Sequence, residues 1–113
     1  MTNFAHGQEA EEAAAIYLSS NGYEVILRNV RTKYYEIDVV AKKSSTIYFV
    51  EVKYRENDQH GLGLDYITNS KLARMSYAAE LWVTENNWPG DYELAAIEIT
   101  GPSFTVTEFI PEL

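Results

Sequence analysis

Three side chains in the middle of the sequence have the types and spacing that metal-dependent phosphodiester chemistry needs. Asp38 is followed thirteen positions later by Glu51, and Lys53 comes two residues after that. Carboxylate oxygens are ligands that hard cations such as Mg²⁺ or Mn²⁺ prefer. An ammonium group nearby can orient the attacking water and offset charge on a phosphoryl group. These residues are therefore candidates for two metal ligands and a catalytic lysine.

Two predicted strands would bring these side chains together. Residues 36–43 and 46–55 are rich in Val, Ile, Tyr and Phe, with a pair of serines between them. If the turn is centred on the serines, Asp38 lies directly opposite Glu51, and two like charges so placed repel each other. A divalent cation between them would convert the repulsion into binding. Because side chains alternate faces, Lys53 shares the face of Glu51.

The same register predicts that the opposite face of this hairpin packs into the core. Its apolar residues would be Ile37, Val39, Ala41, Tyr48, Val50 and Val52. An ordinary structural explanation also fits the charged face, because Glu36 opposite Lys53 would form a simple cross-strand ion pair. A register slip of one residue would separate the two acids onto opposite faces.

The other elements must hold this hairpin in place. An apolar stripe from Ala10 to Leu18 predicts a helix that stops at Asn21-Gly22, and Thr68 is a suitable N-cap for a second helix that fades at Asn86-Asn87. Further strands are predicted at residues 23–27, extending to 30 at most, and at 92–99 and 104–110, with a polar loop at 56–67 that contains His60. The order α-β-β-β-α-β-β predicts one α/β domain over residues 1–113, a mixed sheet flanked by helices.

Composition narrows the possible functions. Nine Lys and Arg against 17 Asp and Glu give a net charge of −8, which argues against a protein coated with phosphate contacts. Cysteine is absent, so thiolate nucleophiles and cysteine-ligated zinc are excluded, and two histidines are too few for a His-rich metal site. With no long apolar run and no signal-like start, a cytoplasmic protein without membrane contact is expected.

The basic charge is concentrated in one segment. Residues 28–55 carry a net charge of +4, whereas residues 1–27 carry −4 and residues 56–113 carry −8. Basic residues on exposed strands also keep edges soluble, so the segregation alone does not identify a binding surface. If nucleic acid is the partner, the candidate phosphate contacts are Arg28, Arg31, Arg55, Lys71 and Arg74. Tyr34, Tyr35 and Tyr54 lie near the proposed site and are candidates for stacking on unpaired bases.

A series of short motifs follows one another along nearly the whole chain: Gly7, Glu11, Ala14, Tyr17-Leu18, Gly22-Tyr23, Arg28-Asn29, Glu36-Ile37-Asp38, Phe49-Val50-Glu51-Val52-Lys53-Tyr54-Arg55, Lys71 and Arg74. In these motifs the sequence resembles the YraN-like family of uncharacterised bacterial proteins, which is similar to PD-(D/E)XK nucleases and archaeal Holliday-junction resolvases. Ala10 and Tyr35 stand where the family usually has Gly.

The resemblance implies a restriction-endonuclease-like core with Asp38 and Glu51 as metal ligands and Lys53 as the catalytic lysine. It implies that Glu11 supports the metal or its water, and that Lys71 contacts a phosphate near a helix N-terminus. From the residues alone, Glu11 beside an adjacent glutamate is equally typical of a solvated helix face, and Lys71 of an exposed lysine.

Three functions follow as expectations. The first is a Mg²⁺- or Mn²⁺-dependent endonuclease acting on DNA, with branched DNA as a substrate if the protein works as resolvases do. Such a role would favour a homodimer, because symmetric substrates suit two-fold sites. The second is a non-catalytic nucleic-acid-binding module that keeps the nuclease fold. The third is an acidic interaction module with a basic protein as its partner.

Overall fold

A computed structural model describes residues 3–57 and 67–113, which form helices and strands in the predicted order. The elements are α1 (Asn3–Ser20), β1 (Glu24–Arg31), β2 (Glu36–Lys43), β3 (Thr46–Arg55), α2 (Asn69–Glu85), β4 (Asp91–Thr100) and β5 (Thr105–Ile110). Most of the predicted loop at 56–67, including His60, lies outside the described residues. None of the helices described is long and apolar enough to cross a membrane.

The five strands form one sheet in the order β1-β2-β3-β4-β5. Strand β3 runs parallel to β4 and the other neighbours are antiparallel. A parallel pair needs a long crossover, and α2 lies in the connection between β3 and β4. The prediction of an α/β fold with a mixed sheet is confirmed.

Helix α1 packs on one face of the sheet through small side chains. Ala10 and Ala14 are almost fully buried, which lets the helix approach the strands closely, and Leu18 is buried below them. Their cluster also contains Tyr23, Val39, Ala41, Val50, Ala95, Ile97 and Ile99. The helix stops where predicted because Gly22 adopts a left-handed φ of 89°, a conformation that glycine takes without strain.

Helix α2 packs on the opposite face. The Thr68 hydroxyl accepts a hydrogen bond from the Lys71 amide at 3.1 Å, as expected for an N-cap. The cluster beneath the helix contains Tyr35, Ile37, Val40, Ile47, Phe49, Ala78, Ala79 and Trp82. Because both faces of the sheet are covered, residues 95–99 of β4 are buried in succession rather than in alternation.

The predicted hairpin register is confirmed along most of its length. Pairs run from Lys43 with Thr46 to Val39 with Val50, and the β2–β3 ladder ends there. The prediction that Ile37 shares the face of Val39 is wrong, since Ile37 packs in the cluster beneath α2. Strict alternation predicts faces only where the paired strands keep a regular pleat, and the two strands separate at this point.

Candidate active site

The candidate site lies where β2 and β3 separate, and Asp38 stands at this fork. Its Oδ2 accepts a hydrogen bond from the Val52 amide at 2.9 Å. The Asp38 side chain thus takes the place of a backbone acceptor for this amide of β3. Its Oδ1 lies 3.4 Å from Nη2 of Arg31. The Asp38 side chain is only 18% exposed. The carboxylate is therefore held in place by contacts with β3 and β1.

Glu51 faces the same fork from β3. Its Oε2 lies 2.7 Å from Nζ of Lys71, the third residue of α2. Burial raises the pKa of Glu51, the nearby Asp38 carboxylate raises it further, and the Lys71 contact lowers it. The two acids are thus close enough to repel each other even though they do not form a rung of the ladder.

Glu11 brings a third carboxylate from α1. Its Oε2 lies 3.7 Å from the same Nη2 of Arg31 that contacts Asp38, and its side chain is 14% exposed. Burial raises the pKa of Glu11, followed by the Asp38 charge, while Arg31 and Arg28 lower it. The neighbouring Glu12 is 56% exposed and pairs with Arg28 at 2.6 Å. Glu12 occupies the solvated face of the helix, and Glu11 points towards the fork.

The carboxylates of the site fit a cation that keeps part of its water shell better than a cation bound by protein ligands alone. Within residues 3–57 and 67–113, no three His, Cys, Asp or Glu side chains are grouped closely enough to hold a metal by themselves. Mg²⁺ usually takes one or two carboxylates and keeps several waters, or takes phosphate oxygens. Asp38 and Glu51 can supply such a pair, and a cation there would relieve the repulsion that raises the pKa of Glu51.

Lys53 and Arg55 lie further along β3. Lys53 is half-buried and pairs in the parallel ladder with Glu98 of β4. The Arg55 Nε lies 2.9 Å from Oε2 of Glu98, and the two side chains are 17% and 2% exposed. The Thr107 hydroxyl donates to the other Glu98 oxygen at 2.8 Å. Arg55 therefore neutralises a buried acid.

Sequence reasoning missed Glu98. The signal is visible in hindsight, because one acid stands inside the apolar run Leu-Ala-Ala-Ile-Glu-Ile of β4. A charge in the middle of a strand covered on both faces needs a cationic partner. The nearest strand supplies it through Arg55.

A cleft of about 280 Å³ opens above the fork, between the β1–β2 hairpin and α2. Asp38 and Glu51 line it together with Tyr34, Tyr35, Glu36, Lys71, Arg74, Met75 and Tyr77. Of the predicted phosphate contacts, Lys71 and Arg74 line this cleft, and Arg31 lies beside Asp38.

The tyrosines that are exposed at the cleft are not the set that the sequence suggested for stacking. Tyr54 packs on Phe104, with ring centroids 5.2 Å apart, on the face that α1 covers, and Tyr35 is buried. Tyr34 is 65% exposed at the cleft, as a stacking residue would be. Tyr77, which the sequence did not single out for stacking, is 52% exposed and lines the same cleft. Its spacing of three residues from Arg74 was the available signal.

Comparison with known proteins identifies relatives over most of the chain. A family model described as "Uncharacterised protein family UPF0102" matches residues 10–101. A UPF0102 protein of Cytophaga hutchinsonii is 31% identical over 106 residues, which cover 94% of both chains. One from a Sulfurihydrogenibium species is 38% identical over 96 residues, 84% of both chains. One from Vibrio cholerae is 38% identical over 80 residues, 71% of this chain and 66% of its own length.

Proposed function

The chain belongs to the UPF0102 family of uncharacterised proteins, and we propose that it is a Mg²⁺- or Mn²⁺-dependent endonuclease that hydrolyses phosphodiester bonds in DNA. The observation that carries this proposal is the position of two half-buried carboxylates, Asp38 and Glu51, in a cleft that Lys71 and Arg74 also line. Acids that bind a cation and bases that bind phosphate belong together in a phosphodiesterase.

Each residue would have a distinct part in this chemistry. Asp38 and Glu51 would hold the cation, which supplies a Lewis acid and lowers the pKa of its water. Glu11 would orient water at the edge of the site that faces α1. Lys53, two residues beyond Glu51 on β3, would assist the attacking water and offset charge on the phosphoryl group. Arg31 lies between Glu11 and Asp38 and balances their charge.

A second function is favoured by the ion pairs of the site. Lys71 already compensates Glu51, and Arg31 compensates Asp38, so the acids are tolerable without a metal. The same cleft could therefore serve a nucleic-acid-binding module that does no chemistry.

A branched substrate and a two-fold dimer remain parts of the nuclease proposal, because two symmetric strands would be cut by two equivalent sites.

The test combines metal binding with cleavage. Calorimetric titration with Mn²⁺ should show binding to the unmodified protein, with at least a tenfold loss in Asp38→Asn. Glu12→Gln is the matched control, since it removes a carboxylate of the exposed pair with Arg28 and should bind Mn²⁺ normally. Four-way, linear and single-stranded DNA should be cut with Mn²⁺ by the unmodified protein and by Glu12→Gln, but not by Asp38→Asn.

Three results would decide against the nuclease. Absence of Mn²⁺ binding, or cleavage that survives Asp38→Asn, would contradict it. Normal Mn²⁺ binding without cleavage of any DNA, together with DNA affinity that persists in EDTA, would favour the non-catalytic module. Thermal unfolding of Asp38→Asn and Glu12→Gln would establish that both variants are folded.

A further inference from the structure

We propose that the cleft binds an unpaired nucleotide of DNA, with its base against Tyr34 and Tyr77 and its phosphate at Lys71 and Arg74. The inference rests on the proposed function, because the cleft has the proposed metal ligands on its floor. It goes beyond that function by naming the structural state of the substrate, which is single-stranded or locally unpaired DNA.

One wall of the cleft is a ridge along α2. Lys71, Arg74 and Tyr77 follow at intervals of three residues, a spacing that makes successive side chains neighbours on a helix surface. All three line the cleft. Lys71 stands at the floor, where its Nζ contacts Glu51, and Tyr77 is exposed further along the ridge. Cationic side chains thus lie near the acids, and the aromatic ring lies further from them.

The opposite wall is the turn of the β1–β2 hairpin. The Thr32 hydroxyl accepts hydrogen bonds from the amides of Tyr34 and Tyr35 at 3.1 Å and 3.0 Å. The Thr32 amide donates to the Tyr35 carbonyl at 3.0 Å. The Tyr35 hydroxyl donates to Oε1 of Glu85 at 2.6 Å, which ties the turn to α2. Tyr34 is therefore presented to solvent from a turn whose backbone is fixed.

Two exposed aromatic rings at one cleft need an explanation. Among the described residues, the large apolar side chains that are more than half exposed are Ile16, Tyr34 and Tyr77. Both tyrosines line the cleft that holds the candidate metal ligands. Tyrosine offers a base a flat apolar face with little conformational entropy to lose, and every base has a face that can stack.

The size of the cleft and its chemistry select an unpaired nucleotide. Its volume of about 280 Å³ is near the lower end, roughly 300 Å³, of pockets that hold small molecules. A duplex keeps the faces of its bases stacked inside the helix, so they are not available to Tyr34 or Tyr77. Only an unpaired base can reach the rings while its phosphate lies at Lys71, beside the fork.

Fluorescence anisotropy with labelled oligonucleotides tests this inference. The full chain is titrated, with Ca²⁺ in place of Mg²⁺, against a single strand, its duplex and the same strand with abasic residues at its centre. The unmodified protein should bind the intact single strand most tightly. In the double variant Tyr34→Ala with Tyr77→Ala, affinity for the intact strand should fall about tenfold or more, while affinity for the abasic strand should change little.

Conservative substitutions separate stacking from folding. Tyr34→Phe and Tyr77→Phe keep the ring and should retain the preference for the intact strand over the abasic one. Ile16→Ala removes an exposed apolar side chain of α1 and serves as the control outside the cleft. Equal affinity for intact and abasic strands, tighter binding of the duplex, or an unchanged double variant would each overturn the inference. Tighter binding of the same sequence as RNA would overturn the assignment to DNA.

Failure of this inference can be told apart from failure of the proposed function. A preference for intact single strands in a protein that binds no Mn²⁺ would support the nucleotide site and contradict the nuclease. Cleavage with bound Mn²⁺, together with equal binding of intact and abasic strands, would support the nuclease and contradict the nucleotide site.

Discussion

The Lys71 ammonium group has two competing partners, the Glu51 carboxylate and the phosphate of the proposed substrate. It lies 2.7 Å from Glu51, and both side chains are about a quarter exposed, at 27% and 22%. A charged hydrogen bond in such a half-buried position contributes more than a surface ion pair. The same ammonium is the cation nearest the proposed position of a phosphate. A metal that binds Glu51 would therefore release Lys71 for the substrate.

We predict that Lys71→Met weakens the fold in the absence of divalent cations and strengthens its response to them. Methionine keeps most of the length of the side chain and removes the ion-pair partner of Glu51, which should lower the free energy of unfolding by about 1–3 kcal/mol. Mn²⁺ should then raise the melting temperature of the variant more than that of the unmodified protein. Thermal unfolding with and without Mn²⁺ measures both effects.

Lys42→Met provides the control for this prediction. The Lys42 ammonium lies 5.5 Å from the Trp88 ring centroid, away from the site acids. Its Mn²⁺ response should match that of the unmodified protein. An equal response in Lys71→Met would mean that the cation and Lys71 do not compete for Glu51.

At the scale of elements, one hydrogen bond joins the two walls of the cleft. Tyr35, which directly precedes β2, donates to Glu85 at the end of α2. Burial raises the pKa of Tyr35 to about 12, and the bond and the charge of Glu85 act in the same direction. A phenol whose pKa is higher in the folded state stabilises the fold below its unfolded pKa of about 10.

We predict that this stabilisation is lost as the pH rises from 10 through about 12. Tyr35→Phe should be less stable than the unmodified protein by about 0.5–3 kcal/mol at pH 8. The difference should shrink across the alkaline range, because ionised Tyr35 can no longer donate to Glu85. Urea unfolding of both proteins between pH 8 and 12 provides the measurement. A difference that stays constant with pH would contradict the assignment, and the other tyrosines cancel in this comparison.

The elements themselves follow closely from local sequence. The bounds of β2 and β3 were predicted correctly because two segments rich in β-branched residues are separated by a pair of serines, which favours a turn. The start of α2 followed from Thr68, whose hydroxyl caps it. Local rules worked here because each boundary is decided by residues within one turn of it.

The proximity of the two acids was predictable from the sequence, and their surroundings were less so. Asp38 and Glu51 line one cleft, but they do not form the ladder pair that the register predicted, and the face of Ile37 was wrong because the ladder ends at Val39 and Val50. The contact between Glu11 and Arg31 depends on how α1 lies across the sheet, which no local pattern specifies. The exposure of Tyr77 was not evident from the sequence, because an aromatic residue in an amphipathic helix is usually buried.

At the scale of the whole molecule, the resemblance to the YraN-like family is confirmed, since the UPF0102 model matches residues 10–101. The structure shows where charges that contribute to the net charge of −8 are paired with one another. Part of the basic charge is engaged with acids, as Arg28 is with Glu12 and Arg55 is with Glu98. Among the described residues, the cations that line the cleft are Lys71, which is itself paired with Glu51, and Arg74.

DNA binding should therefore depend only weakly on salt. Each phosphate neutralised on a single strand contributes about −0.7 to the slope of log K against log salt concentration, so two or three contacts predict a slope of about −1.4 to −2. Anisotropy titrations with a single strand between 50 and 200 mM KCl, at fixed Ca²⁺, would measure it. Arg74→Met should reduce the slope by about one contact, whereas Arg28→Met, which removes a cation already paired with Glu12, should not. A slope steeper than about −5 would contradict this prediction, because it would require a broad phosphate-binding surface. With this charge distribution, such a surface would need basic residues that are now paired with the protein's own acids.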